Sequence, residues 1–407
     1  MIEKTETMRT YDFDNVIDRA GSGDLKHSVL EERYGRGDLL PLWVADMDFA
    51  TPPFITDALR ARLDHSLFGY TVEPADYWPT VIQWIKDHHQ WEVRPEWITY
   101  IPGIVKGIGM VVNVFVKDDE KVIIQPPVYH PFRLTPEGNQ REVVYNPLIE
   151  VKNGEQSTYR MDFGQLETIA KDPKCRLLIL SNPHNPAGVV WDRQTLERLA
   201  EICYDNGVLV ISDEIHCDMA IFGNKHIPFA SVSEKAAQCS ITFGAPSKTF
   251  NIAGIVSSYS IVPNEAIREK FYGWLTANEF NDAPLFAPIA TIAAFKHGEE
   301  WRQQMLQYIE NNVLFVEDYC RKHFAKGEKR LILPWHPQAS FLVWLDCRGL
   351  ALDHDRLNDL FVNKALLALN DGEMFGKEGA GFMRLNIASP RSVILQALEQ
   401  LRVAINR

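Results

Sequence analysis

Cysteine is scarce in this sequence and follows no pattern: Cys175, Cys203, Cys217, Cys239, Cys320 and Cys347 are scattered, and no CxxC occurs. No disulfide framework follows from such spacing, which reads as reduced, partly buried thiols in a cytosolic protein. Runs of lysine or arginine are missing as well. With 42 basic against 54 acidic residues the net charge is −12, so the basic footprint of a nucleic-acid surface is absent. No apolar run approaches the ~20 residues that span a bilayer. The opening MIEKTETMRTYDFD is polar and acidic, unlike a signal peptide. Internal repeats and low-complexity segments are lacking too. What is left is a soluble intracellular protein of 407 residues, 46% of them hydrophobic. That is length enough for two or three domains at roughly 150 residues each, and the class is that of an enzyme of small molecules.

The middle of the chain alternates short apolar runs with amphipathic ones. KVIIQPPVY, CRLLILSNP and GVLVISDEIH each carry four or five apolar residues and stop on polar or proline-rich ones. Continuous apolarity of this kind predicts buried parallel strands. Between the second and third lies WDRQTLERLAEICYDNG, with Leu196, Leu199, Ile202 and Cys203 on one face, Asp192 as N-cap and Gly207 as stop. Strand, helix, strand in that order predicts a right-handed crossover in a parallel sheet. Upstream, WITYIPG leads into IVKGIGMVVNVFV, which suits a buried helix. From about Phe295 the pattern changes to one long helix, then SFLVWLD, a helix around DRLNDLFVNKALL, GFMRLNIA and a terminal helix. A second, smaller α+β domain is expected there, completed by the N-terminal arm.

Ligands of open parallel sheets bind outside the carboxyl ends of the strands, and four such ends are polar here. The first, PGIVKG, offers at Gly103 either an anion site at a helix start or an ordinary turn. CRLLILSNP runs into NPHNPAG, where proline restricts the backbone. That is either a loop or a platform from which the Asn185 amide can donate to a phenolate-like oxygen. GVLVISDEIH ends in Asp213 and Glu214. Burying either carboxylate costs several kcal/mol without a partner, so one of the pair meets a cation unless both are exposed. CSITFGAPSK ends in Lys248, flanked by Ala245, Pro246, Thr249 and Phe250. If it is no ordinary surface lysine, desolvation there lowers its pKa and frees its amine to attack carbonyls. Amide, acid and lysine on successive strand ends meet one chemical demand. A pyridoxal phosphate ring needs a lysine for its aldehyde, a carboxylate for its ring nitrogen, a donor to its phenolic oxygen and an anion nest for its phosphate.

These residues resemble the fold-type-I pyridoxal-phosphate enzymes of the aspartate aminotransferase superfamily, over nearly the whole chain. PLWVADMDFATPP, FGYT, PPVYHPF, SNPHNPAGVVW, SDEIHCDM, HIPFAS, SKTFNIAG and FMRLNIASPR narrow the resemblance to the MalY/PatB-type cystathionine β-lyases, a carbon–sulfur lyase branch. It implies an α/β, transferase-like fold with a large domain, a mostly parallel sheet flanked by helices, and a smaller α+β domain. The expected bounds are 1–50 for the arm packing with the small domain, 51–292 for the large domain and 293–407 for the small one. By the same resemblance Lys248 binds the cofactor's aldehyde, Asp213 pairs with the pyridine nitrogen and Asn185 meets the phenolic oxygen. His216 stands where many aminotransferases have a tyrosine donor to that oxygen, or packs beside the ring. Tyr129 stacks on the ring, and Arg384 holds the substrate α-carboxylate bidentately. Tyr70 enters from a neighbouring subunit, which implies a homodimer with shared active sites. Gly103, Ile104, Val105 and the Ser247 hydroxyl form the phosphate nest. Three departures bear on that nest. GIVKG replaces the branch's usual proline, leaving Lys106 either near the phosphate or in water. Ala245 stands where relatives have a serine, and Val256 where aspartate aminotransferases have a phosphate-binding arginine.

The reaction these expectations describe is α,β-elimination, with Lys248 as general base and a thiol leaving from Cβ of a small sulfur amino acid. Cystathionine would give homocysteine, pyruvate and ammonia, a step of methionine biosynthesis in the cytoplasm. Two alternatives stay open at this point: an aminotransferase of class I/II using the same residues, and a regulatory protein with secondary lyase activity. Trp43, Tyr70, Tyr129, Phe280 and Phe286 either line an apolar pocket or belong to the core.

Overall fold

Seven short runs between residues 98 and 261 assemble into one sheet in the computed structural model, which describes residues 9–327 and 329–407. They are β1 (Ile98–Ile101), β2 (Lys121–Ile124), β3 (Glu142–Tyr145), β4 (Cys175–Ser181), β5 (Leu209–Asp213), β6 (Ser240–Gly244) and β7 (Ser258–Ile261). Their order across the sheet is β1-β7-β6-β5-β4-β2-β3. All ladders are parallel except the two made by β7. The carboxyl ends of the other six strands therefore share one edge, where β7 contributes its amino end.

Both faces of this sheet are covered, which is why the strands read as continuous apolar runs. Leu178, Leu180 and Val210 face Leu196, Leu199 and Cys203 of the helix α2 (Arg193–Asp205). Leu177, Ile179, Ile211, Ile241 and Phe243 face Ile104, Ile108, Val111 and Val112 of α1 (Ile104–Phe115). Each such buried side chain contributes roughly 1.5–3 kcal/mol, which holds the polar strand ends in fixed places. Asp192 caps α2 by accepting from the Thr195 amide at 2.7 Å, and Gly207 follows with a left-handed φ of 69°.

A second sheet of four antiparallel strands lies later in the chain: β8 (Leu333–Pro334), β9 (Leu342–Asp346), β10 (Asn370–Asp371) and β11 (Phe382–Asn386), in the order β8-β9-β11-β10. Two helices cover it, α3 (Glu299–His323) and α4 (Arg391–Ile405). Trp301, Met305, Ile309, Val313 and Val316 of α3 and Ile394, Leu398 and Leu401 of α4 share one core. The long helix expected from about Phe295 is α3, which begins at Glu299; a separate helix, Phe286–His297, ends just before Gly298. A Cβ at Gly298 would lie 2.2 Å from the Ala294 carbonyl oxygen and 2.3 Å from Phe250. The chain turns where only glycine fits.

The N-terminal arm joins this second unit. Leu40–Pro41 pairs in parallel with Leu367–Ala368. Just before and after that pair, buried Lys26 bonds Asp48 at 2.8 Å, and Arg19 bonds Asp46 and Asp48 at 2.9 Å each. The first eight residues of the expected arm, and with them part of the opening acidic stretch, lie outside the described residues. Among the described residues no helix is long and apolar enough to cross a membrane.

Candidate active site

A cavity of 320 Å³ sits at the shared strand edge. β4, β5 and β6 are neighbours in the sheet, so Asn185, Asp213 and Lys248, which follow or end them, face it side by side. Tyr129, His216 and Ser247 line it too. So do Gly103, Ile104, Val105 and Lys106 from the start of α1. Gly103 has φ 118° and ψ 151°, a region that residues with a Cβ scarcely enter. The turn delivers the first amides of α1, which have no partner within the helix, to the cavity. A second hollow of 600 Å³ meets the first at Ala45, Tyr129 and Lys248 and contains Arg384 and Trp43.

Burial sets the electrostatics. Desolvation lowers the Lys248 pKa from 10.5 to about 8, partly offset by Asp46 and Asp213. Its Nζ donates to the Ala45 carbonyl at 2.6 Å, so the arm's Ala45–Asp48 turn positions the amine. Desolvation raises Asp213 to about 7. Among the described residues its carboxylate's only short bond is from the Ile215 amide at 3.1 Å, and no basic side chain pairs with it. Glu214 is buried as well but well supplied, by His226 Nε2, the Ser212 hydroxyl and the Phe229 amide, each at 2.8 Å. Of the two carboxylates, then, neither is exposed, and Asp213 is the one left to meet a cation from outside the chain. His216 is held neutral, its pKa lowered to about 3 by burial.

Arg384 lies on β11 and is buried, its pKa lowered to about 10 by desolvation. It donates to Asn185 Oδ1 at 2.9 Å, the Trp43 carbonyl at 2.9 Å and Asn370 Oδ1 at 2.6 Å. Three of its five N–H donors are thus used, and two remain for a carboxylate. Because the Asn185 carbonyl oxygen accepts from Arg384, its amide hydrogens are free to donate into the cavity.

Pyridoxal phosphate passes the test of fit on these grounds. Asp213 supplies an unpaired carboxylate, Lys248 an amine of lowered pKa, and Asn185 an amide donor. His216 Nδ1, Ser257 Oγ and Arg384 Nε are buried and have no partner among the described residues. Each lines one of the two hollows.

Not every nominated residue comes to the cavity. Tyr70 is fully exposed between the helices Pro53–Leu63 and Tyr77–His89 and lines neither hollow of this chain. Ala245 is buried outside the lining. Phe280 is exposed and Phe286 half-buried. Ser257 and Ser258, which no sequence motif points to, line the cavity as well. Ser258 is opposite Ile101, the last residue of β1. These serines open the one antiparallel strand, so a search confined to carboxyl ends passes over them. No sequence signal marks them; in the structure they follow Val256, a β-branched residue at φ 59°, a strained conformation that clusters at functional turns.

The family described as aminotransferase class I and II matches residues 38–401. The chain is 40% identical to the cystathionine beta-lyase PatB of Bacillus subtilis, covering 97% of this chain and 100% of that one. It is 33% identical to protein MalY of Escherichia coli, covering 97% and 99%. Among solved structures, cystalysin from Treponema denticola, which contains a pyridoxal 5'-phosphate cofactor, superposes with a TM-score of 0.92 at 34% identity, over 98% of this chain and 99% of that one.

Proposed function

The chain belongs to the aminotransferase class I and II family, and we propose that it is a pyridoxal-phosphate-dependent carbon–sulfur β-lyase. Its substrate is cystathionine or a related cysteine S-conjugate, cleaved to a thiol, pyruvate and ammonia. The observation that carries this is the placement of Asn185, Asp213 and Lys248 at three neighbouring strand ends around one cavity, with Arg384 beside them. The lyase outcome is supported by the likeness to cystathionine beta-lyase PatB and to cystalysin.

When bound, pyridoxal phosphate supplies an aldehyde for the substrate amine and a ring that accepts the electron pair left at Cα. Asp213 keeps the ring nitrogen protonated, its carboxylate gaining there the cation it lacks. Asn185 donates to the phenolic oxygen, and His216 packs beside the ring. Tyr129, which lines the same cavity, would stack on the ring. Gly103, Ile104, Val105 and Ser247 hold the phosphate. Arg384 grips the substrate carboxylate, and its bonds to Asn185, Trp43 and Asn370 fix the angle at which Cα is presented. Lys248 Nζ, neutral above pH about 8, would take the Cα proton. The thiolate then leaves from Cβ.

The chain divides in this reading into an arm (1–50), a large domain (51–292) and a small domain (293–407), and works in the cytoplasm in methionine biosynthesis. It acts as a homodimer. Leu67, Phe68, Tyr70 and Val72 are exposed on one segment, an apolar patch that a second copy would cover while receiving Tyr70 in its site. Sedimentation would then give twice the mass of the chain. The deciding assay incubates the holoenzyme with cystathionine and no 2-oxo acid. Pyruvate and ammonia over many turnovers are expected; product only when a 2-oxo acid is added would make the protein an aminotransferase.

A further inference from the structure

The outer half of the second hollow is unused by the chemistry described above. Beyond Arg384, Lys248 and Tyr129 its wall is made by Val29, Glu32 and Arg33, from the N-terminal arm and its short helix Leu30–Tyr34. The Arg33 guanidinium lies 4.4 Å from the Trp43 ring centroid and 5.8 Å from that of Tyr34. Its Nη2 approaches Met374 Sδ at 3.4 Å. Stacking fixes the plane of an arginine while leaving its edge donors free. Among the described residues no carboxylate pairs with Arg33, and no cation pairs with Glu32. The Arg33 charge reaches inward, acting on Arg384 and His130.

A substrate whose carboxylate sits on Arg384 and whose Cα faces Lys248 has the first cavity closed to its side chain by the cofactor. Its Cβ substituent extends instead into this outer hollow. There it meets a preorganised cation and, one residue away, an anion. Adjacent helical residues diverge, so the two do not neutralise each other. A group bearing both a carboxylate and an ammonium satisfies them together.

We propose that Arg33 and Glu32 recognise a second α-amino-acid end, on the leaving thiol, so that this site selects substrates with an amino-acid group at both ends over S-alkyl cysteines. Arg33 takes the distal carboxylate and Glu32 the distal ammonium. Both act on the substrate's remote end and neither touches the reacting atoms. The inference rests on the lyase reading.

The test compares L,L-cystathionine with S-methyl-L-cysteine, which lacks the distal end, on the wild-type holoenzyme and on R33A, R33M and E32Q. R33A and R33M are expected to lower kcat/KM for cystathionine about tenfold, the scale of one charge-assisted contact, with S-methylcysteine unchanged. E32Q gives a smaller loss with the same selectivity. Turnover of S-methylcysteine in each variant doubles as the control for folding. Equal losses on both substrates, or none on either, overturn the inference. Amplitudes of the cofactor's spectral change in stopped-flow mixing of the holoenzyme with each amino acid, taken before pyruvate forms, give binding constants whose ratio does not depend on the rate of turnover. Failure of the wild type to release pyruvate would sink the lyase reading, whereas a binding ratio that R33A leaves unmoved would sink this one.

Discussion

The two sides of the cofactor cavity are built from different material. Over β4, β5 and β6 stand charged side chains taken out of water, Asp213 with its pKa raised to about 7 and Lys248 with its pKa lowered to about 8. Over β1 and β7 stand the first amides of α1 and the hydroxyls of Ser257 and Ser258. A buried charge without a partner costs several kcal/mol, so the first side is costly in the empty chain and is relieved only by a ligand of complementary charge. Amides and hydroxyls ask far less. The first side therefore decides which chemistry is possible, and the second decides how tightly an anionic group is held.

Breaking the charged side should give the largest effects. Lys248→Ala removes the base, and kcat is expected to fall by roughly 10³–10⁴, the upper part of what a positioned base contributes. The visible absorbance of the lysine-bound cofactor should vanish with it; a variant with an unchanged spectrum would show that another group holds the aldehyde. The sign of its pH dependence follows from burial. The nucleophilic form of Lys248 is the neutral one, so capture of added pyridoxal phosphate by the cofactor-free chain should quicken as pH rises through about 8 and level off above. Stopped-flow absorbance reads that rate, and a profile flat through this range would contradict the lowered pKa. Asp213→Asn keeps shape and volume but cannot balance a ring cation. A loss of about 10² in kcat is expected, the scale of one preorganised electrostatic contact, with the cofactor still bound. Loss of cofactor without a kcat effect in the remaining holoenzyme would make Asp213 an anchor only.

The same contrast explains what could be read from the sequence. Asp213 and Lys248 announce themselves because a charged residue closing an apolar strand needs a reason. The parallel core was equally plain, since strands covered on both faces by α1 and α2 lose all alternation. Arg384 was harder: FMRLN alone is an ordinary strand, and only the family's motif marked it. Ser257 and Ser258 stayed hidden because β7 runs against its neighbours, and strand direction is a property of the assembled sheet. The crowding of Gly298 by Phe250 is a tertiary contact without a local signature. Arg33 reads as a surface arginine until the arm folds back along Leu367–Ala368 and sets it at the hollow's mouth.

The smallest effect is expected on the uncharged side, where it sharpens the comparison most. Ser257 Oγ is buried and unpartnered among the described residues, reached through a strained Val256, and the strain of ~1–3 kcal/mol makes sense if the turn exists to aim that hydroxyl. Lys106 lines the same cavity but is exposed, so its charge is screened and solvated. Ser257→Ala should weaken cofactor binding about tenfold, one hydrogen bond to a charged group at ~1.5 kcal/mol, while Lys106→Ala should change it by less than about threefold. Equilibrium fluorescence titration of the cofactor-free chain with pyridoxal phosphate gives both constants without reference to turnover. A Lys106 effect larger than the Ser257 effect would mean that this side, too, works by charge, and the division between a side that chooses the chemistry and a side that merely holds would fail.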